Sequence, residues 1–341
     1  MNRMERLLEV NHLEVGFKTY GGEVQAVRDV SFHVNKGEIL AIVGESGSGK
    51  SVTVQAVMGL IPTPPGRIKQ GEVLFDGRDL LKLSKREMQK VKGSRISMVF
   101  QDPMTSLNPT MKVGKQIEES IITHQSVKRD EARKRAVEMI RKVGIPNPAE
   151  RYEQYPHEFS GGMRQRIMIA IALACHPEIL IADEPTTALD VTIQAQVLDL
   201  MKGLKDEMGT SIILITHDLG VVAETAERVA VMYGGLIVET ATVEELFHRP
   251  KHPYTWGLLE SIPDIEAAEK ERLVPIEGTP PDLFSPPKGC PFAPRCKYAM
   301  EVCVEEMPPA FAIGEGHEAK CWLNDPRTPA LTELVSAGRE E

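Results

Sequence analysis

Ile39-Leu40-Ala41-Ile42-Val43-Gly44-Glu45-Ser46-Gly47-Ser48-Gly49-Lys50-Ser51-Val52 runs from five apolar residues straight into glycines, a lysine and a serine. A short apolar run of this kind reads as a strand covered on both faces, as in a parallel sheet flanked by helices. Gly44 to Ser51 fits the spacing G-x-x-x-x-G-K-[ST], and a helix-like segment, Val52 to Met58, follows. In a strand, loop and helix of that order, glycines let successive backbone N–H groups curl round phosphate oxygens, and the helix N-terminus adds its positive dipole end. Lys50 is the candidate contact to the β and γ phosphates and Ser51 the candidate magnesium ligand. The amides of Gly44, Glu45, Ser46, Gly47, Ser48, Gly49 and Val52 complete the cradle.

Two more apolar runs end at polar chemistry: Ile179 to Ala182 before Asp183-Glu184, and Ile212 to Ile215 before Thr216-His217. In a sheet of this class ligands bind outside the C-terminal strand ends. Asp183 is suited to hold a magnesium-bound water, and Glu184 to take a proton from, or orient, the water that attacks the γ phosphate. Phe159-Ser160-Gly161-Gly162-Met163-Arg164-Gln165-Arg166 is a Ser-Gly-Gly turn opening a helix, another anion cradle. A second phosphate-binding surface on one chain points to two chains sharing nucleotides. Taken alone, the same residues read as an N-cap by Ser160 with glycines for close packing.

Helical spacing joins Ala132, Ala136, Met139, Ile140 and Val143, within a helical insertion expected at about residues 102–165, and again Ile193, Val197, Leu198, Met201 and Leu204. Val24, Ala26, Val30, Phe32 and Val34 keep a period near two, and Val229 to Tyr233 meets Leu236 to Val238 across Gly234-Gly235, the pattern of a hairpin. From residue 250 the texture turns Pro-rich and irregular, which sets an expected boundary between a 1–250 domain and a 251–341 domain ending in a loose tail from Asp325. Net charge is -9 and the sequence pI about 5.6, so no global positive field holds nucleic acid. The opening MNRMERLLEV has no secretory pattern, and the longest apolar run, Ile167 to Cys175, has nine residues against the ~20 that span a bilayer.

Taken together, these motifs resemble those of the nucleotide-binding subunits of ABC transporters. In order stand the Walker A loop at 44–51, Gln101 after Met98-Val99-Phe100, the signature at 159–163, the Walker B pair Asp183-Glu184, the D-loop Ala188-Leu189-Asp190 and the switch histidine His217. The resemblance implies an α/β fold with an antiparallel β layer and helical insertion, and a head-to-tail dimer with ATP between the Walker A of one subunit and the signature of the other. It also implies that Gln101 contacts magnesium and attacking water, that His217 bonds the γ phosphate, and that Tyr20, with Phe17 as competitor, stacks on adenine. Phe159 and Met163 depart from the commonest LSGGQ form, while Ser160, Gly161 and Gly162 are intact.

His248-Arg249-Pro250-Lys251-His252-Pro253-Tyr254-Thr255 is similar to the start of the extra domain in the dipeptide and oligopeptide permease branch. Cys290, Cys296, Cys303 and Cys321 fall at C-x5-C-x6-C-x17-C, four thiols suited to an all-cysteine zinc site or an iron–sulfur cluster, with no C-x-x-C pair. Free thiols are the third reading. The branch implies a [4Fe–4S] cluster in this segment, whereas Cys175, in an apolar helix, reads as a packed core cysteine.

The resulting expectation is an ATP-hydrolysing subunit of a peptide importer at the cytoplasmic face of the plasma membrane. Its implied partners are a second ATPase subunit, self or paralogue, two integral membrane permease subunits and an extracellular or periplasmic solute-binding protein. Nickel or another solute is the alternative cargo. A non-transport ABC ATPase is disfavoured by the acidic pI, the single ATPase domain and the short helical insertion.

Overall fold

The computed structural model describes residues 5–102, 106–187, 189–262 and 275–328. It divides into two compact units. The first comprises Met1–Leu8, His33–Ile39 and Leu74–Ile215; the second comprises Glu9–Phe32, Leu40–Val73 and Thr216–Glu341.

Along the chain, β1 (Arg6–Thr19), β2 (Gly22–Asn35) and β3 (Ile39–Val43) precede α1 (Lys50–Val57). Then come β4 (Gly66–Phe75), β5 (Arg78–Asp79), α2 (Lys85–Val91) and β6 (Ile96–Val99). The helices α3 (Val113–His124), α4 (Arg129–Lys142), α5 (Pro148–Arg151) and α6 (Gly161–Leu173) lead to β7 (Ile179–Asp183), α7 (Val191–Met208) and β8 (Ser211–Thr216). After α8 (Leu219–Thr225) stand β9 (Arg228–Tyr233), β10 (Leu236–Thr242), α9 (Val243–His248) and α10 (Pro253–Glu260), then α11 (Glu301–Glu305), β11 (Phe311–Gly314) and β12 (His317–Ala319).

In the first unit β6, β7 and β8 run parallel, with Ile96 opposite Ile179 and Ile179 opposite Ser211. β7 and β8 are buried along their whole length, as unbroken apolar runs require when helices cover both faces of a sheet. Within the helical insertion, residues 103–105 lie outside the described residues. Its helix α4 buries Ala132, Ala136, Met139 and Ile140, the stripe that helical spacing places on one face. Glu118, buried on α3, is held there by Lys115, Arg129 and Tyr152.

In the second unit β3 pairs parallel with β9, setting Leu40 opposite Arg228 and Val43 opposite Val231. β9 and β10 form the hairpin expected across Gly234-Gly235, whose φ values of 54° and 80° lie in the left-handed region that glycine enters without strain. β2, β1, β4 and β5 lie side by side in that order in a second sheet, with β4 and β5 antiparallel.

The expectation of an irregular C-terminal segment is corrected in one respect. Residues 311–319 form β11 and β12, and β12 pairs antiparallel with β10, Glu239 opposite Ala319. Apolar side chains on both sides of residue 250, including Val231, Tyr233, Tyr254, Phe292 and Cys303, share one core. Of the expected tail, residues 329–341 lie outside the described residues. Among the described residues no helix is long and apolar enough to cross a membrane.

Candidate nucleotide site and cysteine loop

Residues 44–49 turn from β3 into α1 with Gly44, Gly47 and Gly49 at φ values of 154°, 79° and 102°. A Cβ on Gly44 would stand 2.0 Å from the carbonyl oxygen of Met232, and one on Gly49 2.4 Å from that of Ala26. Neither position accepts a side chain, because the obstructing atoms are backbone. Lys50 heads α1, is 5% exposed, and donates from Nζ to the carbonyl oxygens of Gly44 (2.8 Å) and Glu45 (3.0 Å). The ammonium is thus folded back over the loop it would share with phosphate. Ser51 and Val52 follow in the first turn of α1, and Ser48 accepts from the amide of Gly235 at 3.0 Å. Tyr20, at the turn between β1 and β2, stands fully in solvent, whereas Phe17 is half-buried against Gly66. His217 is exposed just beyond β8, and Asp218 caps α8 by accepting from Gly220 and Val221 amides. All of these residues belong to the second unit.

In the first unit β7 ends at Asp183, buried at 5% exposure. Glu184 follows with φ 46°, a left-handed conformation that costs a non-glycine residue about 1–3 kcal/mol and accumulates at functional positions. Its amide donates to the Ile215 carbonyl at 3.0 Å. Its Oε2 accepts from Gln101 Nε2 at 2.9 Å and from the Thr187 hydroxyl at 3.0 Å. The two residues expected to handle the attacking water are therefore in direct contact, 83 positions apart in sequence. Ser160 caps α6 by accepting from the Met163 amide at 3.3 Å, and a Cβ on Gly162 would meet Ile193 Cγ2 at 2.6 Å. Both local reasons for Ser-Gly-Gly, capping and close packing, operate here. Gly161 opens α6. Asp190 caps α7 by accepting from Ile193, while Ala188 of the D-loop lies outside the described residues.

Cys290, Cys296, Cys303 and Cys321 line one cavity in the second unit together with His252. The Cys290 amide donates to the Cys303 carbonyl at 2.7 Å, closing the loop that carries three of them. Burial pushes the thiols of Cys290 and Cys296 up to about 11 and that of Cys321 up to about 12. His252 is completely buried, and desolvation pulls its imidazole down to about 3. Its Nδ1 accepts from the Tyr254 amide at 3.1 Å, so the neutral ring carries its hydrogen on Nε2, which has no partner. An orphaned N–H beside four sulfurs fits a guest rich in electron density. Among the described residues, however, no group of three or more His, Cys, Asp or Glu side chains is placed to hold a single metal ion. Cys175 is buried at the end of the signature helix, with the Ser120 backbone and hydroxyl near its sulfur.

Sequence comparison matches residues 27–187 to the ABC transporter family and residues 238–303 to the C-terminal region of oligopeptide/dipeptide transporters. The oligopeptide transport ATP-binding protein OppD of Bacillus subtilis is 63% identical over 331 residues, covering 97% of this chain and 92% of that protein. The chain belongs to the ABC transporter ATP-binding family, in its oligopeptide and dipeptide branch. The dipeptide transport ATP-binding protein DppD of Bacillus subtilis is 56% identical, covering 95% of this chain and 96% of that one. Among solved structures, an ATP-binding cassette dimer in a post-hydrolysis state with ADP and Pi is 28% identical at a TM-score of 0.62, covering 69% of this chain and 98% of its own.

As an ABC ATPase the chain hydrolyses ATP. Four residues that the motifs do not mark shape the surroundings of this machinery. Glu239 and His252 organise the start of the C-terminal segment; Tyr254 and Arg295 reach Glu45 of the phosphate loop. The only sequence signal for any of them was the His-Pro-Tyr run at 252–254.

Proposed function

We propose that this ABC ATPase powers import of dipeptides or oligopeptides, docked at the cytoplasmic face of the plasma membrane on two permease subunits fed by a solute-binding protein. The observation that carries this reading is the 63% identity to an oligopeptide transport ATP-binding protein along 97% of the chain, with the peptide-transporter C-terminal region included.

In this reading two ATPase subunits close head-to-tail on two Mg–ATP molecules. Each ATP lies between residues 44–52 of one subunit and Ser160, Gly161 and Gly162 of the other, with Asp190 at the junction. Lys50 and the loop amides hold the phosphates, Ser51, Gln101 and Asp183 face magnesium, and His217 bonds the γ phosphate. Glu184, already held by Gln101, polarises the attacking water. Tyr20 offers its ring to adenine, in line with its full exposure.

The segment from residue 251 on is the branch's appended domain, and its four cysteines are the donor set of a [4Fe–4S] cluster. Support comes from their shared cavity and the unpartnered His252 N–H beside it. A cluster there would supply a crosslink to a loop with little apolar surface.

The test is ATPase activity of the reconstituted transporter with its binding protein loaded with peptide, with nickel, or with nothing. Stimulation by peptide alone is expected. Stimulation by nickel alone, or by neither while the complex is intact, would overturn the peptide assignment.

A further inference from the structure

Glu45 is the second residue of the phosphate loop, a position where a carboxylate ought to be unwelcome, because it brings negative charge to a site built for phosphate. Its side chain is neutralised from 250 residues away. Arg295 Nη1 donates to Glu45 Oε2 at 2.7 Å and Nη2 to Oε1 at 3.0 Å, a bidentate pair with the guanidinium 4% exposed. The other two polar groups of Glu45 are also engaged. Its amide donates to the Tyr254 hydroxyl at 2.8 Å, and its carbonyl accepts from Lys50 Nζ at 3.0 Å.

Arg295 is equally fixed on its own side. Its Nε donates to the Glu277 carbonyl at 2.8 Å, Nη2 to the Ile276 carbonyl at 2.9 Å, and Nη1 to the Tyr233 hydroxyl at 3.2 Å. It ends the turn Ala293–Arg295, between Cys290 and Cys296, and its amide donates to the Phe292 carbonyl at 2.9 Å. The ring of Phe292 packs edge-on to Tyr233 at 5.3 Å. Whatever orders the cysteine loop therefore orders the cation that holds Glu45.

We propose that Arg295 is a positioning residue for nucleotide binding: it cancels the charge of Glu45 and fixes the loop's second residue, so that the order of the cysteine loop sets the affinity for ATP. This rests on the reading of residues 44–51 as the nucleotide loop. The mechanism is electrostatic and local. With Arg295 removed, a part-buried carboxylate is left uncompensated in the loop read as binding phosphate and the loop loses a tether; with both charges removed, the repulsion goes too.

The test is ATP binding by full-length protein, followed by isothermal titration together with urea unfolding. Arg295→Met should weaken ATP by about 10-fold or more, in keeping with loss of a buried bidentate charge pair. Adding Glu45→Gln to Arg295→Met should recover most of that loss, and Arg295→Lys should fall between wild type and Arg295→Met. Cys303→Ser, which disturbs the loop without touching Glu45, should weaken ATP in the wild-type background and have little further effect beside Arg295→Met. Wild-type affinity in folded Arg295→Met, a double variant as weak as the single, or additive effects of Cys303→Ser and Arg295→Met would overturn the proposal. If Arg295→Met does not fold, Arg295→Lys carries the comparison, and unaltered affinity there, with Cys303→Ser also unaltered, contradicts it. Failure of the wild type to bind ATP would instead strike the nucleotide reading itself.

Discussion

Glu239 is completely buried on β10, and its carboxylate holds the start of the C-terminal segment in place. Oε1 accepts from the Lys251 amide at 2.7 Å and lies 2.9 Å from His317 Nε2; Oε2 accepts from the His252 amide at 3.0 Å and the Thr255 hydroxyl at 2.6 Å. Glu239→Gln keeps the shape but turns one acceptor edge into an N–H₂. Thr255 can rotate its hydroxyl and His317 can change tautomer, yet in either amide orientation one backbone N–H, of Lys251 or His252, is left facing another donor. One buried unsatisfied donor costs about 1–3 kcal/mol, so the expected loss is about 2 kcal/mol, and more for Glu239→Ala, which strands both amides. With a denaturant slope of ~2–3 kcal/mol/M for a chain of this size, the urea midpoint should fall by about 0.5–1 M. The chain's two tryptophans, Trp256 and Trp322, both lie in the segment that Glu239 organises, so tryptophan fluorescence reports on it directly. A midpoint unchanged for Glu239→Gln, or a smaller loss for Ala than for Gln, would mean that the Glu239 carboxylate does not hold the two amides.

Tyr20→Ala should weaken ATP by about 3–10-fold, the value of a ring stack, without moving the urea midpoint, since the ring touches solvent alone; Phe17→Ala should show the opposite balance. Titration calorimetry beside unfolding separates the two, and equal effects on both readouts would remove Tyr20 from the adenine. Gly44→Ala should abolish measurable ATP binding because the added carbon would collide with the Met232 carbonyl, and retained affinity would contradict the loop geometry. Protein purified without oxygen should contain iron and acid-labile sulfide, and lose both on replacing any of Cys290, Cys296, Cys303 or Cys321 with Ser; stoichiometric zinc and no iron would overturn the cluster.

What was legible in the sequence is what steric or periodic demands write into it. Gly44 and Gly49 are forced by backbone atoms less than 2.5 Å from any added side chain, and Gly234-Gly235 by two successive positive φ values, so the phosphate loop and the hairpin could be read directly. The unbroken apolar runs of β3, β7 and β8 announced a sheet covered on both faces. Long-range pairings leave no such trace. Nothing near Arg295 predicts a partner 250 residues earlier, and nothing near Glu239 predicts His317. The short strands β11 and β12 escaped for a related reason: they are set by pairing with β10, in a stretch whose composition reads as irregular. Gln101 was singled out only through family resemblance, because a lone glutamine after a strand has no signal of its own, and its bond to Glu184 was not foreseen.

Coupling of ATP hydrolysis to import can be followed as uptake of a labelled peptide into proteoliposomes that carry this chain with the proposed permeases and binding protein, comparing wild type with Glu184→Gln at saturating ATP. Wild-type vesicles should accumulate peptide as ATP is consumed, while Glu184→Gln vesicles still bind ATP but lose turnover and uptake together, because an amide fills the carboxylate's place beside Gln101 without accepting the water's proton. Peptide accumulation at the wild-type rate in Glu184→Gln vesicles would mean that Glu184 does not drive import.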